Sequence, residues 1–183
     1  VEHGVTEEVM GIDLVEWMIR GAAGDFAMLD APAPTPKGHS VQVRLYAEDP
    51  AMDYRPTTGT LVNVQFPENI RAETWVMAGT EVSAFYDPML AKLITHAATR
   101  EGAIVAMQEA LNASRLDGIE TNLRWLREVV RHEGFTSGEV STRMLDTVAY
   151  ARRAVRVIAG GTATSVQDWP GRLGLWNVGV PPS

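Results

Sequence analysis

Val41-Gln42-Val43-Arg44-Leu45-Tyr46-Ala47-Glu48-Asp49-Pro50 has a period of two. Val41, Val43, Leu45 and Ala47 alternate with Gln42, Arg44, Tyr46 and Glu48, which predicts a β-strand with one buried face. Arg44 then lies on the polar face beside Gln42 and Tyr46. In a strand the adjacent Glu48 and Asp49 point to opposite faces, so Asp49-Pro50 reads as a turn and not as half of a carboxylate pair. Further strands are expected at 59–66, 70–77 and 90–96. Helical spacing surrounds them. Asp13 is placed as the N-cap of a helix in which Leu14, Val15, Met18, Ile19 and Ala22 form an apolar stripe, and Gly24 ends it. Pro32, Pro34 and Pro36 make 25–38 an extended connector. Thr99 caps a second helix with Ala103, Ile104, Met107, Ala110 and Leu111 on one face. A third follows Thr121, where Thr121 and Asn122 read as a helix start, and a fourth covers 140–151. The sum is an α+β unit, a mostly antiparallel sheet flanked by helices.

Composition narrows the function class. The 183 residues carry 23 acidic and 16 basic side chains, a net charge of −7. A nucleic-acid surface needs clustered positive charge, so that class is set aside. No apolar run approaches the ~20 residues that span a bilayer, and no basic-then-apolar leader opens the sequence. With no cysteine, the chain has no disulfide and no thiolate metal site, which fits a cytoplasmic protein. His3 and His39 have no acidic or histidine partner at ligand spacing, so they read as structural hydrogen-bonders. The five Trp residues form no stacking series and read as core or interface.

Two motifs go further. Val1-Glu2-His3-Gly4-Val5-Thr6-Glu7 opens the chain, and Arg44-Leu45-Tyr46-Ala47-Glu48-Asp49-Pro50 follows. Between them lie the Gly11-Ile12-Asp13-Leu14-Val15 helix start and Gly38-His39. After them come Tyr86-Asp87-Pro88-Met89-Leu90-Ala91-Lys92-Leu93 and Asp117-Gly118-Ile119-Glu120-Thr121-Asn122. In wording and order, residues 1–148 resemble the end of the biotin carboxylase active site in the ATP-grasp family of biotin-dependent carboxylases. Gly4 stands where that family usually has proline. The resemblance implies ATP-dependent carboxylation of biotin with bicarbonate. It assigns Glu2 as the general base that takes the bicarbonate proton and Arg44 as the fixed cation facing the ureido oxygen. It assigns Val1 to backbone contacts with bicarbonate, with Glu2 and Arg44 alongside. Arg71 and Asp87 match positions near a subunit interface, which allows a homodimer; a plain surface pair is the other reading. On the residues alone, Glu2 reads as a solvated surface carboxylate and Arg44 as a cross-strand ion-pair partner.

The resemblance also divides the chain. Residues 1–38 match the tail end of an ATP-grasp core and 39–150 a biotin carboxylase C-terminal domain. The lid, phosphate-binding lysines and magnesium-holding glutamates of the family are expected upstream, so ATP with magnesium is held by an upstream ATP-grasp half and no metal by these residues. Biotin itself is expected on a carrier domain. Val155-Arg156-Val157-Ile158 reads as a strand broken by Gly160-Gly161. The segment from Ser165-Val166-Gln167-Asp168-Trp169-Pro170-Gly171-Arg172 to Val180-Pro181-Pro182-Ser183 resembles the first part of the carboxyltransferase domain of the urea carboxylase family. Residues 151–183 are therefore expected to be a linker and the truncated start of that domain. The implied acceptor is urea, giving allophanate, with guanidine a close chemical relative. The alternatives are the biotin carboxylase part of an acyl-CoA or pyruvate carboxylase, and a non-enzymatic interaction module with the same fold.

Overall fold

The structure is a computed structural model that describes residues 3–32 and 34–151, together with the backbone of residues 154–159 and 162–167. Three helices come first: α1 (Gly4–Met10), α2 (Leu14–Ala22) and α3 (Ala27–Asp30). Then come β1 (His39–Tyr46), β2 (Glu48–Asp49), β3 (Arg55–Pro56), β4 (Gly59–Thr60), β5 (Asn63–Gln65), β6 (Arg71–Thr74), β7 (Glu81–Val82) and β8 (Met89–Ala97). After α4 (Arg100–Ala113) and β9 (Arg115–Asp117) lie α5 (Leu123–Val129) and α6 (Glu133–Ser137). β10 (Ala154–Ala159) and β11 (Thr162–Gln167) pair antiparallel, so the strand read at 155–158 is present.

The architecture is α+β with antiparallel sheets, as the periodicities implied. β8 is the middle strand of the principal sheet, with β1 on one side and β6 on the other. The predicted alternation of β1 holds: Val43, Leu45 and the following Ala47 are buried, while Arg44 is exposed. On the apolar face, Leu45 and Leu93 pack under α4, whose Met107 and Leu111 are also fully buried. The Thr99 hydroxyl caps α4 by accepting from Gly102 N at 3.1 Å.

Several expectations change. The 59–66 stretch is not one strand, because it changes partners: β4 pairs with β7, then β5 with β9. The turn at Gly118 enforces this. Its φ is +117°, and a Cβ there would lie 2.2 Å from the Thr60 carbonyl oxygen, so only glycine lets the two backbones approach. The 70–77 strand shortens to β6. The connector at 25–38 contains the helical turn α3. The helix expected at 140–151 is instead a 3₁₀ segment, Thr142–Thr147, and α6 precedes it. Four β-branched residues, Val140, Thr142, Thr147 and Val148, weaken an α-helix there, and Gly138 in a left-handed conformation stops α6.

α2 forms where expected, with the Asp13 carboxylate accepting from Glu16 N at 2.8 Å. Its apolar stripe, however, faces solvent among the described residues: Met18 is 72% and Ile19 66% exposed, with Phe26 and Leu29 beside them in sequence. The contrast between the two apolar groups predicts their energetics. Leu93→Ala should cost about 2–5 kcal/mol, the range for a fully buried leucine. Leu29→Ala should change stability by under about 0.5 kcal/mol. Urea unfolding of the two variants, read at their midpoints, checks both.

Candidate functional site

The polar face of the principal sheet assembles the site. In antiparallel register Arg44 lies opposite Lys92, and Lys92 lies opposite Glu73. One row therefore crosses β1, β8 and β6 as cation, cation, anion. The next row holds Gln42, Ile94 and Arg71. α1 lies over both rows. Gly4, its first residue, is buried so tightly that an added Cβ would meet Ile94 Cδ1 at 2.4 Å and Gln42 Oε1 at 2.8 Å. The glycine lets the helix start lie flat on the sheet.

Charged groups fasten α1 there. Glu7 is 5% exposed. One of its carboxylate oxygens accepts from Leu14 N at 2.9 Å and the other from Arg71 at 2.6 Å. Arg71 also pairs with Glu8 at 3.4 Å and with Glu73. Burial alone would lower the Arg71 pKa, but the carboxylates of Glu7, Glu73 and Glu8 outweigh it and hold the guanidinium above its ordinary value. Glu73 pairs in addition with Lys92, and His3 Nε2 lies 3.6 Å from the Glu73 carboxylate and 3.5 Å from Lys92 Nζ. His3, Glu7 and Glu73 thus bring one donor each within 4.8 Å of one another, so His3 does have an acidic partner four residues on, against the sequence expectation, and only Glu73 is remote in the chain. Arg71 and Lys92 engage those carboxylates, so the cluster is an ion-pair network.

Arg44 stands at the open end of the cross-strand row, exposed, with Nη1 3.4 Å from the Tyr46 hydroxyl. Its backbone is fixed by Asn122, which is 4% exposed. The Asn122 side chain accepts from Tyr46 N at 2.9 Å and donates to the Arg44 carbonyl at 3.1 Å. Asn122 does occupy the start of α5, but its side chain makes no cap there and instead completes the edge of β1. Only the Asp117–Asn122 wording hinted at it. Asp49 accepts from Ala51 N at 3.0 Å and makes the expected turn. Glu48 is separate: burial raises its carboxyl pKa and the nearby Asp87 charge raises it further. Asp87 is exposed and accepts from Met89 N at 2.7 Å. Arg71 is one-third exposed. Val1 and Glu2 lie outside the described residues, and Glu2 directly precedes His3 in the chain.

Residues 42–147 match the family model for the biotin carboxylase C-terminal domain. The chain belongs to that family. It is 48% identical to a urea amidolyase of Lachancea kluyveri over its whole length, which is 10% of that relative. The crystal structure of the Kluyveromyces lactis urea carboxylase superposes with a TM-score of 0.81 at 48% identity, covering 100% of this chain and 16% of that one. The biotin carboxylase domain dimer of Hydrogenobacter thermophilus 2-oxoglutarate carboxylase, solved with MgADP, ADP and bicarbonate, matches at a TM-score of 0.78 and 34% identity. It covers 82% of this chain and 35% of that one. The chain thus spans a small part of the relatives it matches.

The network should fail in acid. Burial alone would raise the Glu73 carboxyl, but hydrogen bonds from Lys92 and Arg71 outweigh it and hold the pKa below 4.5. A lowered carboxyl stabilises the fold above its unfolded pKa and loses that contribution as pH falls through the folded value. The stability gap between the parent and Glu73→Gln should be constant well above pH 4.5 and close below it. Urea unfolding across a pH series measures the gap.

Proposed function

We propose that this chain is the C-terminal biotin carboxylase segment of a urea carboxylase, acting in the cytoplasm. In this reading bicarbonate activated by ATP carboxylates biotin, and the carboxyl group then passes to urea to give allophanate. The observation that carries the acceptor is the extent of the match. Likeness to urea amidolyase runs through all 183 residues, whereas the family model ends at 147 and the 2-oxoglutarate carboxylase domain covers 82%. Residues 148–183 are the part these proteins share beyond a general biotin carboxylase, and we read 151–183 as a linker and the start of a carboxyltransferase domain.

The chemistry follows from the placement of charge. Biotin, when bound, would supply a ureido nitrogen that gives up its proton, for which the phosphate released as ATP-activated bicarbonate breaks down is an acceptor, and takes the carbon dioxide set free in that step. An anionic oxygen suits the Arg44 site, because an exposed guanidinium on a rigid strand offers a fixed fork of donors. Arg44 then stabilises charge as it grows on the ureido oxygen, and its position is set before the reaction begins. Glu2 takes the bicarbonate proton as general base, and Val1 adds backbone contacts to the same anion. Among the described residues there is no glycine-rich loop with lysines to cradle phosphates. We therefore assign ATP and magnesium to an upstream ATP-grasp half, which also suits the exposed stripe of α2. Biotin belongs on a separate carrier domain. For a homodimer contact we retain Arg71 and Asp87, both of which keep exposed surface.

In the full-length protein, ATP hydrolysis should require bicarbonate and be stimulated by urea, and not by acetyl-CoA, propionyl-CoA or pyruvate. Arg44→Ala should leave ATP affinity near parental and slow biotin carboxylation on the order of 10²–10³-fold, the effect of losing one preorganised charge stabiliser. Arg44→Lys should also be slow, since a point charge does not replace the fork. A coupled ATPase assay across urea, guanidine and the acyl acceptors tests both halves. Stimulation by an acyl-CoA without urea overturns the acceptor, and guanidine alone moves it to a sister activity. A parental rate in Arg44→Ala reduces Arg44 to an ion-pair partner. No turnover with any acceptor favours an interaction module.

A further inference from the structure

We propose that Glu73 is a positioning residue for Arg44, acting through Lys92. This rests on the reading that Arg44 is the catalytic cation. Arg44 and Lys92 are direct cross-strand partners, and directly opposed side chains share one face of a sheet with Cβ atoms about 5 Å apart. Two cations so placed repel, and a mobile ammonium beside the site competes with the guanidinium for any anion that arrives. The structure removes Lys92 from that competition. Glu73, its partner on the other side, takes the ammonium in an ion pair, and His3 Nε2 lies 3.5 Å from it. Glu73 is itself held by Arg71. Lys92 is thus drawn along the row away from Arg44, whose guanidinium stays at the solvent-facing end. The same contacts hold His3, the residue after Glu2, so the cation and the start of α1 are set by one carboxylate.

The test is a mutant cycle in the full-length protein, reading kcat for biotin carboxylation, ATP affinity and thermal midpoint. Glu73→Gln should lose roughly 10-fold or more in kcat while ATP affinity holds, as expected when a reacting group is misplaced by a fraction of an ångström. Glu73→Asp should keep most of the rate. Lys92→Gln should stay within about threefold of the parent, as for loss of a partly exposed ion pair. The decisive variant is Glu73→Gln with Lys92→Gln: removing the released cation should restore several-fold of the lost rate. If Glu73 only braces the fold, the double variant loses a further contact and is no faster than Glu73→Gln, which overturns the proposal. Should Glu73→Gln fail to fold, Lys92→Gln still decides, because a loss as deep as that of Arg44→Ala overturns it. A parental rate in Arg44→Ala sinks the underlying reading instead, and a parental rate in Glu73→Gln with a crippled Arg44→Ala sinks this inference alone.

Discussion

Two adjacent cations on one sheet face, one of them held by the Glu73 carboxylate, are the constraint on which the rest of the site depends. Arg44 and Lys92 face each other across β1 and β8, and Glu73 completes the row on β6. Unit charges about 5 Å apart repel by roughly 1–3 kcal/mol between water-like and protein-surface dielectrics. A counter-charge in reach offsets that repulsion. Glu73 supplies it, and Arg71 fixes Glu73 in turn. The arrangement has a direction: negative charge is concentrated at the β6 side, under α1, and positive charge is left at the β1 side.

The N-terminal segment depends on the same network. A seven-residue helix such as α1 is too short to persist alone, so its place on the sheet comes from tertiary contacts. Glu7 joins it to both the start of α2 and Arg71, and Gly4 allows the backbone to reach Ile94. Asn122 does the corresponding work for β1. It fills the edge at Arg44 and Tyr46 with side-chain bonds where a further strand would otherwise pair. The site is therefore held from below by α4 and the core, at the edge by α5, and from above by α1.

Much of this was legible in the sequence. The alternation through Val41–Ala47 put Arg44 on the polar face, and the caps Asp13 and Thr99 set two helix starts. The network was not legible. Glu7, Arg71, Glu73 and Lys92 are scattered across some eighty-five positions, and only the register of β6 on β8, with α1 lying over the sheet, brings them together. Nor did α2 obey its own pattern, because an amphipathic stripe states that a helix wants a partner and not where that partner is. The split of 59–66 depended on backbone partners supplied by residues 81–82 and 115–117, which no local periodicity encodes. The Asn122 role was hidden for the opposite reason. A polar residue before a helix has an ordinary use as a cap, and the long-range use displaced it.

The central claim is that the carboxylate of Glu73 keeps Lys92 off the reacting groups and leaves Arg44 to meet them. The most direct measurement is an experimental structure of the full-length protein with bicarbonate and biotin bound. The account predicts an Arg44 guanidinium nitrogen within about 3 Å of a bicarbonate or ureido oxygen, with Lys92 Nζ still paired to Glu73. Arg44 turned away from both ligands, or Lys92 released from Glu73 and bound to the anion in its place, would contradict it.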